Sequence, residues 1–165
     1  MGSERPVKWE RFSTEGSGVG AVIGAAFDEA RRRGDRKVGT DHMLLGLLHD
    51  PASAAALGIG VDEGRAAIAD LDRAALAAIG LDVGGPDLPG LPMPKHRTVT
   101  RNTLTAGARD ALAEAVRANG SHTRGLTPRH LLAAVLAGPP TEPAAHLLGQ
   151  LGIDPAAVRV RLADR

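Results

Sequence analysis

Apolar residues in the N-terminal half of the chain recur with the period of an α-helix. They occupy Val19, Val22, Ile23, Ala26, Phe27 and Ala30. This spacing of i, i+3, i+4 and i+7 places them on one helix face, and Gly34 predicts the end of the helix. Thr40 is predicted to N-cap a second helix, which ends near His49 because Pro51 disfavours its continuation. Apolar side chains cover most sides of this second helix, so we expect it to lie at the centre of the fold.

The rest of the chain carries six more helical segments. A short helix is predicted over residues 53–57, and Asp62 is predicted to cap a longer one that buries apolar side chains as far as Ile79. Residues 80–97 contain four Gly and four Pro, which predicts a linker. The second half repeats the helix order, with starts predicted at Thr105, Thr127 and Asp154 and with a short helix that follows Thr141.

The two halves also match in sequence. Residues 42–48 (HMLLGLL) align with residues 130–136 (HLLAAVL) at an offset of 88 (130 minus 42). An internal duplication is the simplest explanation. We therefore predict an all-α fold of two pseudo-symmetric four-helix repeats that pack as one compact domain. The predicted parts are an N-terminal arm at 1–12, the first repeat at 13–79, the Gly/Pro linker at 80–101 and the second repeat at 102–165.

Composition narrows the possible classes of partner. Hydrophobic residues make up 43% of the chain but aromatic residues only 2%, so we expect a core of small aliphatic side chains that suits close helix packing. Lys and Arg number 20 against 19 Asp and Glu, which gives little reason to expect a nucleic-acid partner. The basic run at residues 31–33 falls where the first helix ends, and we interpret it as complementing the helix dipole.

The sequence also bears on location. Cysteine is absent, which excludes disulfides and thiolate metal sites. The opening MGSERPVKWERF contains no apolar signal segment, and no apolar run approaches the ~20 residues of a membrane span. We therefore expect a cytoplasmic protein with no membrane partner. We also expect a monomer.

Several segments resemble one known family. Residues 38–48 (VGTDHMLLGLL) resemble the "[IV]-G-T-E-H-[IL]-L-L-G-L" signature of the Clp N-terminal repeat family, and residues 9–12 (WERF) resemble its opening. Leu104-Thr105, followed by Arg109, resembles the start of that family's second repeat. The resemblance implies an N-terminal domain of an AAA+ unfoldase, which docks substrates or adaptor proteins. Because no ATPase module follows in the sequence, we expect a stand-alone copy or an excised domain.

The resemblance implies a ligand site at the start of the second helix, around Thr40 and Asp41. Asp41 stands where the family has a Glu whose carboxylate helps bind the guanidinium of phosphoarginine, and a carboxylate can accept two parallel hydrogen bonds from that group. Alternatively, Asp41 favours its helix start through the dipole and the backbone N–H groups. Arg129 stands at the equivalent place in the second repeat, and its positive charge predicts that a second phosphoarginine site is lost.

A second implied site lies between the two repeat starts. Trp9, Phe12, Leu104 and Arg109 match the region where cyclic-peptide antibiotics bind members of the family. Trp9 is the only tryptophan and stands among charged residues, which favours an exposed contact. The alternative for both aromatic residues is to fasten an N-terminal arm to the bundle, and this is our interpretation of Phe12. Leu104 replaces the family's Phe.

The histidines form no recognisable catalytic or metal motif, and no cofactor is predicted. His42 and His130 recur just inside matching helix starts, where we expect packing and hydrogen bonding. Our leading hypothesis is a non-catalytic module that binds peptides, adaptors or substrate proteins and modulates Clp-dependent proteolysis. One alternative is a protein that sequesters cyclic-peptide antibiotics. A further alternative is a small hydrolase that uses His42 with Asp41, or His130 with a nearby Ser or Thr.

Overall fold

Eight α-helices account for most of the residues that the computed structural model describes, which are 18–81 and 102–164. The helices are α1 (Val19–Arg33), α2 (Thr40–Leu48), α3 (Pro51–Leu57), α4 (Val61–Ala78), α5 (Ala106–Ala118), α6 (Pro128–Leu136), α7 (Pro143–Gln150) and α8 (Pro155–Ala163). Within these two stretches the only β-type pairing is an isolated bridge between Val38 and Leu104. The predicted all-α fold is confirmed. The predicted N-terminal arm and nearly all of the predicted linker lie outside the described residues.

Several helix ends fall where the sequence predicts them. α1 ends at Gly34, whose φ of 78° is a left-handed conformation that glycine adopts without steric cost. The hydroxyl of Thr105 accepts a hydrogen bond from the N–H of Ala108 at 3.2 Å. The carboxylate of Asp154 accepts one from the N–H of Ala156 at 2.9 Å. These side chains satisfy backbone donors that would otherwise lack partners at the starts of α5 and α8.

Two predicted caps are wrong. Thr40 is the first helical residue of α2, and Gly39 is the N-cap. In α4 the N-cap is Gly60 rather than Asp62. Glu63 reaches back from the third helical position and accepts the N–H of Gly60 at 2.7 Å, as in a capping box. The carboxylate that bonds to this helix start therefore belongs to Glu63, one residue after Asp62.

The core is shared by both repeats and centres on α2 and α6. Its largest fully buried side chains are Ile23, Val38, Met43, Leu44, Leu45, Leu47, Leu104, Leu112, Leu131, Leu132, Leu147 and Leu148. Every residue of α2 is buried except Asp41, which confirms the predicted central position of this helix. A Cβ atom at Gly46 would overlap the carbonyl oxygen of Val22. Glycine at this position therefore allows α1 and α2 to pack closely.

The C-terminal part of α4 extends beyond the core. This helix contacts α2 and α7 and is fully buried only at Gly64, Ala67 and Ile68. Ile79, which we predicted to be buried, is 71% exposed. The prediction fails because the apolar period of α4 continues past the last turn that has a helix to pack against.

A short backbone bridge joins the two repeats. The N–H of Val38 donates to the carbonyl oxygen of Thr103 at 2.9 Å, and the N–H of Thr105 donates to the carbonyl oxygen of Val38 at 3.0 Å. Leu104, between the two partners, is fully buried. The bridge therefore holds the start of α2 beside the start of α5.

A buried charged cluster belongs to the first repeat. Glu29 of α1 is 3% exposed, and its carboxylate accepts hydrogen bonds from Arg65 at 3.1 Å and 2.5 Å. The Nε2 atom of His49 lies 2.9 Å from the same carboxylate. Burial raises the pKa of Glu29, but the hydrogen bonds from Arg65 and His49 lower it by more, so the pKa lies below its usual value.

Candidate functional site

Asp41, the predicted guanidinium-binding residue, lies in the first turn of α2 and is only partly exposed. Its Oδ2 atom accepts a hydrogen bond from Nη1 of Arg33, the last residue of α1, at 2.9 Å. Its Oδ1 atom folds back over the helix start, into space that a Cβ atom at Gly39 would occupy. The carboxylate is therefore paired with a guanidinium of the chain itself.

Arg33 is held by three carboxylates. Its Nη2 atom donates to both oxygens of Asp72 at 2.9 and 3.1 Å, and its Nη1 atom lies 3.6 Å from Asp35 in addition to its bond with Asp41. Burial lowers the pKa of Arg33, but the three carboxylates raise it by more, so the group stays cationic. Arg33 thus ties the end of α1 to α2 and α4.

Sequence reasoning missed this role of Arg33. The only signal was the basic run at residues 31–33, which we interpreted as complementing the helix dipole. Arg31 lies 3.5 Å from Asp28, one turn back on the same helix, whereas Arg33 contacts residues that follow in α2 and α4. A helical pattern predicts the first kind of pair, but only the fold brings the second kind together.

His42 has a hydrogen-bonding role at the same helix start. Its Nδ1 atom accepts the N–H of Gly39 at 3.0 Å, which leaves Nε2 as the donor to Asp35 at 2.9 Å. His130 repeats half of this arrangement, because its Nδ1 atom accepts the N–H of Thr127 at 3.2 Å. These contacts support the packing and hydrogen-bonding interpretation of both histidines. In the stretches 18–81 and 102–164, His, Asp and Glu side chains form no group of three that could hold a metal ion.

Thr40 is buried and links α2 to α7. Its hydroxyl accepts the N–H of Ala144 at 3.2 Å and donates to the carboxylate of Glu142 at 3.1 Å. Glu142 in turn lies against Gly107 of α5, where any Cβ atom would overlap its carboxylate. We call this α2–α7 contact, formed by Thr40, Glu142 and Ala144, the closed seam. No local sequence pattern predicts the closed seam, since Thr40 and Glu142 are 102 residues apart.

Of the residues predicted between the repeat starts, the structure describes two. Leu104 is fully buried in the bridge and so presents no side-chain surface to a ligand. Arg109, on the first turns of α5, is partly exposed, and its Nη1 atom donates to the carbonyl oxygen of Leu104 at 3.3 Å. Trp9 and Phe12 lie outside the described residues. Asp41 and Arg109 are therefore the predicted site residues that are described and retain some exposed surface.

The two helical repeats, bridged at their starts, define the class of fold, which is that of Clp N-terminal domains. A solved example is the N-terminal domain of ClpD, a caseinolytic protease associated chaperone from Arabidopsis thaliana. It matches with a TM-score of 0.58 and 19% sequence identity over 87% of this chain and 91% of that one. The sequence matches no family model and no curated protein. None of the described helices is long and apolar enough to cross a membrane.

Proposed function

We propose that this chain is a non-catalytic binding module that docks peptides, adaptors or substrate proteins of a Clp-type proteolytic system and so modulates proteolysis. The observation that carries the proposal is the fold, which is shared with the N-terminal domain of a protease-associated chaperone. The expected cytoplasmic location and monomeric state belong to the same proposal.

The surface that we assign to docking is the start of α2, at Asp41. Asp41 and Arg33 form a partly exposed pair of opposite charges, which can bind a partner with complementary charges through paired hydrogen bonds. An arginine-phosphorylated segment is one such partner, because its guanidinium suits the carboxylate of Asp41. The guanidinium of such a ligand competes with Arg33 for the carboxylate.

Affinity capture from a cell lysate tests this function. The immobilised wild-type chain is expected to recover Clp unfoldase or protease components, adaptors or arginine-phosphorylated proteins, and Asp41→Asn is expected to recover much less. Asp62→Asn is the matched control, since Asp62 also lies in the first turn of a helix but is exposed on α4. Recovery of none of these proteins by the wild type, or equal recovery by Asp41→Asn, would refute the proposal.

A second candidate function is sequestration of cyclic-peptide antibiotics that act on a Clp unfoldase. The observation in its favour is that partly exposed Arg109 lies at the bridge where the two repeat starts meet. The measurement is tryptophan fluorescence together with the thermal midpoint, both recorded during titration with such a peptide. Arg109→Gln is expected to weaken the response and Arg117→Gln, at the exposed end of α5, to leave it intact. No response from the wild type would exclude this function.

A further inference from the structure

A cavity of about 320 Å³ opens between α3, α6 and α8, on the second-repeat counterpart of the closed seam. This size lies at the lower end of the ~300–1,000 Å³ typical of small-ligand pockets. Its walls are mainly apolar and include Ala52, Ala55, Leu132 and Leu162. We call it the α3–α6–α8 pocket. It shares no residue with the Asp41 surface.

The second repeat lacks the hydroxyl that forms the closed seam. At the offset of 88, Pro128 takes the place of Thr40 (128 minus 40). Proline offers no side-chain hydrogen bond to a neighbouring helix, whereas Thr40 bonds to both Glu142 and Ala144 of the closed seam. The facing helix, α3, presents alanines to the gap. We call this α6–α3 contact the open seam.

The charges around the pocket favour an anion. Arg129 and Arg161 both line it, and among the described residues no carboxylate lies within 4.0 Å of either guanidinium. Arg129 donates one hydrogen bond to the backbone carbonyl of Leu162. The single acid in the lining, Asp50, already accepts two hydrogen bonds from Ser53, at 2.9 and 2.7 Å. The rim therefore has an excess of one positive charge over an apolar floor.

We propose that the α3–α6–α8 pocket binds the C-terminal end of a peptide whose last residues are aliphatic. The terminal carboxylate pairs with Arg161 and Arg129, and the aliphatic side chains lie against the alanines of α3 and against the partly exposed Leu162. A guanidinium fork suits a carboxylate because it offers two parallel donors. The volume accommodates a short segment rather than a whole partner helix.

The test is a titration of the full chain with acetyl-leucyl-leucine as the free acid and as the C-terminal amide, followed by NMR chemical shifts. The acid is expected to bind about tenfold more tightly than the amide, the ratio expected when a charge-assisted hydrogen bond is lost. Shifts are expected in α3, α6 and α8. Equal affinity of acid and amide, or shifts confined to other helices, would overturn the proposal.

Variants of α8 test whether Arg161 supplies the positive charge that pairs with the carboxylate of the ligand. Arg161→Gln is expected to lower the affinity for the acid about five- to tenfold and to leave the amide unchanged. Arg159→Gln is the matched control, because Arg159 is an exposed arginine of the same helix that does not line the pocket. A similar loss in both variants would indicate general attraction between charges and would refute the assignment.

Variants of α3 test whether the ligand occupies the α3–α6–α8 pocket. Ala55→Leu fills the pocket and is expected to abolish binding of the acid, whereas Ala66→Leu, on an exposed face of α4, is expected to preserve it.

Octanoate tests whether the aliphatic carboxylate comes from a lipid instead of a peptide. Binding of octanoate without binding of the dipeptide acid would identify a lipid site and refute the peptide assignment. Neither probe contains a Clp component. The titrations therefore test the pocket independently of the lysate capture that tests the proposed function.

Discussion

The closed seam and the open seam occupy matching places in a duplicated fold, yet they are built differently. In the closed seam the Thr40 hydroxyl joins α2 to α7. In the open seam Pro128 starts α6 without such a link, α6 packs less closely on α3 than α2 does on α7, and a cavity remains. The comparison teaches that the seam with a polar link at its helix start is closely packed, whereas the seam without one retains a cavity.

The largest expected effect comes from matched core truncations beside the two seams. Leu44 and Leu132 occupy equivalent positions (132 minus 44 is 88), and both are fully buried. Truncation to Ala is expected to lower the free energy of unfolding by about 2–5 kcal/mol in each case. Leu132→Ala is expected to cost less, because this side chain already borders a cavity and loses fewer contacts. Urea unfolding measures the free energy of unfolding of both variants, and a larger loss for Leu132→Ala would contradict the proposed difference between the seams.

Removing the Thr40 hydroxyl tests the closed seam directly. Thr40→Val keeps the shape but leaves the N–H of Ala144 and the carboxylate of Glu142 without their partner. The expected loss of unfolding free energy is about 1–3 kcal/mol. The matched change in the open seam, Pro128→Ala, is expected to cost less than about 1 kcal/mol, since it removes only the preorganisation of the helix start. Equal losses in urea unfolding would show that the hydroxyl does not distinguish the seams.

The charged cluster around Glu29 is another difference between the two repeats, and its contribution to stability depends on pH. His49 contacts Glu29, whereas Ala137 stands at the equivalent place in the second repeat (137 minus 49 is 88). Because the folded-state pKa of Glu29 lies below its reference value of 4.5, its contribution to stability is complete above that pH. It is lost as the pH falls through the lower, folded-state pKa.

Glu29→Gln is therefore expected to lower the unfolding free energy by about 1–2 kcal/mol at pH 7. The difference from the wild type is expected to shrink as the pH falls below the reference pKa. Glu114→Gln is the control, because Glu114 forms an exposed pair with Arg117 within one helix, and such pairs contribute little. Unfolding midpoints measured from pH 7 to acid provide the test, and a constant difference across that range would contradict it.

The last expected effect is a change in binding, and it concerns Arg33. Arg33→Gln removes the internal partner of Asp41 and is expected to strengthen binding of an arginine-containing peptide severalfold. Arg32→Gln, at an exposed neighbouring position, is expected to change nothing. Calorimetric titration measures all three proteins, and weaker binding by Arg33→Gln would mean that Arg33 assists ligands instead of competing with them.

The sequence predicts the helices well because local physics sets them. The period of the apolar residues, the capping residues and the similarity of residues 42–48 to residues 130–136 can each be recognised within a few residues. The ends of α1, α5 and α8 illustrate this. The sites are less predictable because their contacts are long-range. The hydroxyl of Thr40 has alternatives at its own helix start, and only packing of α7 directs it to Glu142. In the same way, residue type predicts that Asp41 binds a guanidinium but cannot predict that Arg33 supplies one.

The bridge between Val38 and Leu104 has a consequence for how the protein is made. It closes a loop of 66 residues (104 minus 38), whereas each helix forms from neighbours in the sequence, so pairing of the repeats is expected to be the slow step of folding. During translation the first repeat leaves the ribosome several seconds before its partner, at ~5–20 residues per second. In that interval the apolar side of α2 is uncovered on the nascent chain, and chaperones have their best opportunity to bind it.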